Sequence, residues 1–165
     1  MVATISPQEL SRLQQTGKSI ELIDVRTYWP AKSATRAIGN AREYAQDFQN
    51  YLTKMPKPEP AVVKEVKVEL ARYLDEAGKY LATMKKDFAG DKETLAAIEK
   101  VEKELSAVAE SQKAMIECCE NEKFDKVAGM ACCKDFAKDV DKVNAAHQLL
   151  LKTLAAKQAP AKATK

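Results

Sequence analysis

Ile98-Glu-Lys-Val101-Glu-Lys-Glu-Leu105-Ser-Ala-Val108-Ala-Glu-Ser-Gln112-Lys-Ala-Met115-Ile-Glu-Cys118-Cys119 decides the fold. Its seam positions fall alternately three and four residues apart, with charged and small residues between them. That 3.5-residue repeat draws one stripe along a helix and supports knobs-into-holes packing. A helix with one apolar stripe depends on partners for most of its stability. The partners are in the same chain. Ala37, Ala41, Tyr44, Phe48, Tyr51 and Met55 form one seam. Val63, Val66, Leu70, Tyr73, Ala77, Tyr80 and Met84 form a second. Cys133, Phe136, Val140, Val143, His147, Leu150 and Leu154 form another beyond the quoted stretch.

Breaks separate the seams. Pro56-Lys57-Pro58-Glu59-Pro60 ends the first, because proline cannot donate and restricts the residue before it. Gly90-Asp91 ends the second, with Asp91 as N-cap of the next helix. Asn121 to Asp125 holds the last turn. The Val-rich stretch Val62, Val63, Val66, Val68 has strand character, but the seam continuing through Tyr80 assigns it to a helix. Four helices of roughly 25 to 32 residues, each roughly 37–48 Å long, with short connections predict an all-α, antiparallel up-down four-helix bundle.

The texture before Pro30 differs. Ser6-Pro7-Gln8-Glu9 starts a helix, with Ser as N-cap, Pro at N1 and Glu at N3. Leu10 and Leu13 give it an apolar face, and Gly17 stops it. Ser19 to Val25 reads as a short strand. The expected organisation is a helix–strand appendage over 1–29, the bundle over 30–156 and a disordered basic tail over 157–165. A lone strand leaves its ladder groups unpaired, so it is expected to be irregular, to lie along the bundle, or to pair with its copy in a homodimer.

Thr4-Ile-Ser-Pro-Gln-Glu-Leu10 followed by Ile20-Glu-Leu-Ile-Asp-Val-Arg26 resembles the opening of a rhodanese-like domain. The match covers about residues 4–27, and Ala37-Ile38-Gly39-Asn40-Ala41 echoes the family's next motif. The resemblance implies a remnant of that α/β fold in which Asp24 and Arg26 are structural. It does not imply a sulfurtransferase. The family's reactive Cys opens a backbone cradle usually ended by Arg, whereas Cys119 and Cys133 here have acidic neighbours and no such loop.

Composition limits the function classes. The 165 residues are 45% hydrophobic and 31% charged, enough for one core. Lys plus Arg is 27 against 24 Asp plus Glu, and the net charge of +3 is matched by Lys157, Lys162 and Lys165 near the C-terminus. The rest of the chain is balanced, so no nucleic-acid partner is expected. No apolar run is long enough to span a membrane, so no membrane partner is expected either. The opening Met1-Val2-Ala3-Thr4 lacks the regions of a signal peptide, which predicts a cytoplasmic protein.

The cysteines carry the chemistry. All four form two doublets, Cys118-Cys119 and Cys132-Cys133, on either side of the Asn121–Asp125 turn. Folding the last two helices back places Cys118 opposite Cys132, with Cys119 and Cys133 on the seams. Three readings stand. They are reduced, inert core residues. Or Cys118, Cys119, Cys132 and Cys133 ligate a soft ion, Cu(I) or Zn. Or they form interhelical disulfides. Neighbouring helix residues diverge by about 100°, which makes a doublet a less natural chelate than Cys-x-x-Cys.

Met115 and Met130 are core residues near enough to serve as auxiliary thioethers. His147 lies 14 residues beyond Cys133, about 21 Å along the helix, and is expected to be a bonded seam residue. Gln112 is expected to set register. Tyr28 and Trp29 are expected to pack the N-terminal unit onto a helix end. No paired-acid cleft, phosphate loop or Glu-x-x-His pair is present. The sequence therefore reads as a non-enzymatic, metal-binding bundle. The alternatives are a rhodanese-related or thiol-redox protein, and a scaffold for a partner helix.

Overall fold

Each seam becomes a helix because burial of its stripe is the main gain open to it. A computed structural model describes residues 25–158, with side chains from 30 to 157. Helix α1 spans Val25–Lys54, α2 Pro60–Asp87, α3 Lys92–Glu120 and α4 Lys126–Gln158. Helix α1 packs on α2 and α4, and α3 packs on α2 and α4, with no contact across either diagonal. The most extensive contact is α3 with α4 and the least extensive is α2 with α3. This closed ring of neighbours is the arrangement of an up-down bundle. No described helix is long and apolar enough to cross a membrane.

Local chemistry sets the helix ends. Pro60 occupies the first turn of α2, where its missing N–H costs nothing. The backbone N–H of Glu59 donates to the Tyr51 hydroxyl at 3.0 Å, which folds the proline-rich link back on α1. Asp91 caps α3 by accepting from the Thr94 N–H at 3.3 Å and the Thr94 hydroxyl at 2.7 Å. Asp125 does the same for α4, with Oδ1 accepting from the Val127 N–H at 2.8 Å. Phe124 lies over the first turn of α4. A Cβ at Gly129 would stand 2.6 Å from its ring, so only glycine lets the ring sit there.

The core follows the predicted seams on α3 and α4, while along the first seam Tyr44, Tyr51 and Met55 are only partly buried and Leu52 of α1 takes a fully buried place. Every α4 seam position from Cys133 to Leu154 is buried, and on α3 only Leu105 is partly open. On α1 a run of alanines, Ala31, Ala34, Ala37, Ala41 and Ala45, lets neighbouring helices approach closely. On α2, Leu81 rather than Tyr80 takes the fully buried position. Gln112 is nearly buried and donates from Nε2 to the Lys67 carbonyl at 3.2 Å. That bond ties the register of α3 to α2, as expected of a polar seam residue.

Two boundaries differ from the sequence reading. The structure has no strand among the described residues, and Val25, read as the end of one, opens α1. Pro30 therefore lies inside α1 rather than at its start. A helix satisfies its own backbone, whereas a lone strand cannot, and one bond lost to Pro30 near the N-terminus is a small cost by comparison. At the other end α4 continues to Gln158, so Lys157 belongs to the bundle and not to a tail. Its ammonium contacts Asp91 and reaches Glu93 at 3.2 Å, and it holds the Asp91 carboxyl down to about 2. The helix–strand unit read at 6–24 and the residues from 159 onward lie outside the described residues, as do the side chains of Tyr28 and Trp29.

His147 is fully buried. Its Nε2 lies 3.1 Å from the Ala31 carbonyl and 2.9 Å from the Thr35 hydroxyl, which itself donates to the same carbonyl. A carbonyl facing Nε2 requires the proton on that nitrogen. Nδ1 is left as a buried acceptor with no partner. Burial lowers the imidazole pKa, and the Ala31 bond only partly opposes it. The folded state therefore favours neutral His147. Its contribution to stability is complete above about pH 6.5 and is lost as pH falls below that value. It is the chain's only histidine. Denaturant unfolding between pH 7.5 and pH 5 is expected to show stability declining with acid, and His147→Leu is expected to flatten most of that slope.

Candidate functional site

The α3–α4 turn brings the cysteine doublets together. Asn121 Oδ1 accepts from the Lys123 N–H at 2.9 Å, and the Asp125 cap begins the return. The doublets then face each other across the seam. Cys118 and Cys132 are paired at disulfide distance, with Cα atoms 7.1 Å apart, just beyond the usual span of a cross-link. Cys119 and Cys133 remain free thiols and are 3% and 2% exposed. They lie on the facing seams of α3 and α4, each beside a cysteine of the bonded pair.

The 100° divergence between helix neighbours explains this division. Each doublet sends one sulfur into the seam and one to its edge. The four cysteines divide into a bonded edge pair and two buried free thiols. Among the described residues no group of three or more His, Cys, Asp or Glu side chains is arranged to hold a metal ion. Of the four cysteines read as ligands, Cys118 and Cys132 are joined to each other and Cys119 and Cys133 are free.

Burial dominates the thiols' chemistry. It pushes Cys119 up to about 11, with a further rise from the Glu120 carboxylate. It pushes Cys133 up to about 12, with a further rise from Cys119. Both are protonated at neutral pH and are poor nucleophiles. Met115 is fully buried one turn before Cys119, and Met130 is partly buried three residues before Cys133. His147 is spent on Ala31 and Thr35, remote from the sulfurs along α4.

A cleft of about 570 Å³ opens beside Cys119, between the proline-rich link, the start of α2 and the end of α3. Lys57, Lys64 and Lys67 line it, over apolar walls that include Pro58 and Val63. It lies along the least tightly packed helix pair. The sequence reading took these lysines as ordinary solvated surface. Lys57, Lys64 and Lys67 alternate with Glu59 and Glu65 in the sequence, so nothing there sets them apart until the fold brings Cys119 beside them.

No known protein family, curated protein or solved structure matches the chain. Most residues that carry the rhodanese-like resemblance lie outside the described ones, and Val25, Arg26 and Thr27 open α1.

The thiol environments have a direct consequence. In native protein Cys119 and Cys133 should resist iodoacetamide at pH 8, whereas in denaturant both should react within the ordinary thiol range near pH 8.5. Mass spectrometry of labelled peptides reads the difference. Rapid native labelling of Cys133 at pH 8 would show that its burial is not maintained in solution.

Proposed function

We propose that the protein is a non-enzymatic helical bundle that binds a soft monovalent metal ion, Cu(I), between Cys119 and Cys133. The observation that carries this reading is that the two free thiols are both buried, one on each of two facing helices, each next in sequence to a cysteine of the bonded pair. Thiolates select soft ions. Cu(I) is satisfied by two sulfurs, whereas structural Zn requires four ligands. The bonded Cys118–Cys132 pair therefore weighs against Zn and leaves Cu(I) accommodated. A bound cation also offsets the thiolate charge that burial penalises. Met115 stands one turn away as a thioether of matching softness. Reduction of Cys118–Cys132 would add two further sulfurs.

Copper binding separates the pairs. Anaerobic protein titrated with Cu(I) against a chromophoric chelator is expected to take one equivalent with the disulfide intact. Cys118→Ser plus Cys132→Ser is expected to retain that equivalent. Cys119→Ser plus Cys133→Ser is expected to lose it. Failure of wild-type protein to compete for Cu(I) would remove this reading.

The Cys118–Cys132 bond favours a second reading, a redox-responsive staple. It closes a separation of 14 residues between α3 and α4. A loop of that size is worth about 3 kcal/mol, most simply through restriction of the unfolded chain. The staple reading predicts that Cys118→Ser plus Cys132→Ser, or reduction by a dithiol, lowers unfolding free energy by about that amount. An unchanged denaturation midpoint would show that the bond contributes nothing to the fold.

A further inference from the structure

The cleft beside Cys119 has features that a solvated surface does not require. It is concave, and Cys119 at its inner edge is a buried thiol without a hydrogen-bond partner. Its cations are largely uncommitted. Lys64 has no partner among the described residues. Lys57 donates only to the exposed Glu122 carbonyl, at 3.2 Å. Lys67 pairs with Glu120, the one carboxylate lining the cleft, at 3.3 Å. In the lining three ammonium groups stand against one carboxylate, and Glu59 adjoins it between Pro58 and Pro60, which leaves a local charge of about +1 at neutral pH. The start of α2 faces the same space. Its N-cap, Glu59, makes no side-chain cap bond and Pro60 has no N–H, so the N–H groups of Ala61 and Val62 are the ones that add positive potential there. Pro58, Val63 and Val68 supply apolar wall.

A positive rim, apolar walls and a soft donor at the inner edge select an anion with a soft centre. Under thiol-reducing conditions Cu(I) travels as such a species, a bis-thiolate complex of a small anionic thiol. We infer that this cleft is the docking site at which an anionic Cu(I)–thiolate complex passes its ion to Cys119, and from there to the Cys119–Cys133 pair. The inference rests on the copper reading above and names the carrier. The step is ligand exchange. A bond forms from Cys119 Sγ to copper as one carried thiolate leaves, and the Cys119 proton goes to the departing sulfur. A second exchange at Cys133 releases the other carried thiol in the same way. Copper stays in the +1 state and no electron moves.

The test compares two donors by stopped flow. One is the anionic Cu(I) complex of glutathione, and the other is the cationic Cu(I) acetonitrile complex. Lys57→Glu plus Lys64→Glu removes the uncommitted cations and leaves the Lys67–Glu120 pair in place. The variant is expected to slow uptake from the glutathione complex by at least about tenfold at low salt, with the gap narrowing as salt rises. Uptake from the acetonitrile complex should not slow, and copper content at equilibrium should be unchanged. Lys57→Gln plus Lys64→Gln, a milder change, should give a smaller effect of the same sign. Unchanged uptake from the anionic donor, or equal slowing from both donors, would overturn the docking site while leaving copper binding intact. Uptake from neither donor by wild-type protein would overturn the copper reading and this inference with it.

Discussion

The packing of α3 against α4 is the contact on which the rest depends. It is the most extensive helix pairing in the molecule, and it begins at a turn whose geometry is held by side chains. Asn121 and Asp125 satisfy backbone donors on either side of the bend, and Phe124 fills the space that Gly129 leaves open. A helix hairpin has a strict register, since a slip of one residue rotates every side chain by about 100°. Cys118 and Cys119 lie in the last turn of α3, and Cys132 and Cys133 lie in the second turn of α4. Fixing the hairpin therefore fixes which sulfur meets which, and the same constraint sets the level at which the cleft meets Cys119.

The rest of the bundle keeps that hairpin in place through contacts at both ends. At the cysteine end, Lys126 donates to the Thr53 carbonyl at 2.8 Å and Lys57 reaches the Glu122 carbonyl, so the α1–α2 link is held beside the α3–α4 turn. At the far end, Lys157 on α4 meets Asp91 and Glu93 at the start of α3. Exposed ion pairs of this kind contribute little one by one. Their value here is positional. The energy lies in the seams, where Phe136, Leu81, Met84 and Ile98 are sealed from water.

Much of this was legible in the sequence because the 3.5-residue repeat encodes the buried face directly. The seams through Ile98–Cys119 and Cys133–Leu154 are core stripes, and the Asp91 cap stands where its spacing placed it. The pairing of Cys118 with Cys132 followed from symmetry about one turn. The misplaced boundaries have a common cause. The bundle reads as starting at Pro30 because the helical period becomes visible there, yet α1 reaches back to Val25. Lys157 was assigned to a basic tail on local composition, yet carboxylates on α3 hold it in the helix. Local signals are strong where a pattern repeats and weak where a distant residue decides. The cleft belongs to the second kind. Lys57 and Lys64 are unremarkable until the fold sets Cys119 beside them.

The division of the thiols into two pairs bears on how a bound ion and a disulfide coexist. Four equivalent thiolates would make oxidation and metal binding mutually exclusive, since each sulfur bonded to sulfur is one ligand fewer. Adjacent residues on a helix cannot be equivalent. The edge pair is closer to solvent, while the seam pair is buried and protonated. A closed edge pair holds α3 and α4 at one separation. It thereby limits how far Cys119 and Cys133 can move apart, and for the proposed site a pre-ordered pair of ligands would lower the ordering cost of binding. On this argument oxidation at the edge prepares the inner pair instead of competing with it. Opening the edge bond would loosen the hairpin and make the inner site more adaptable and weaker.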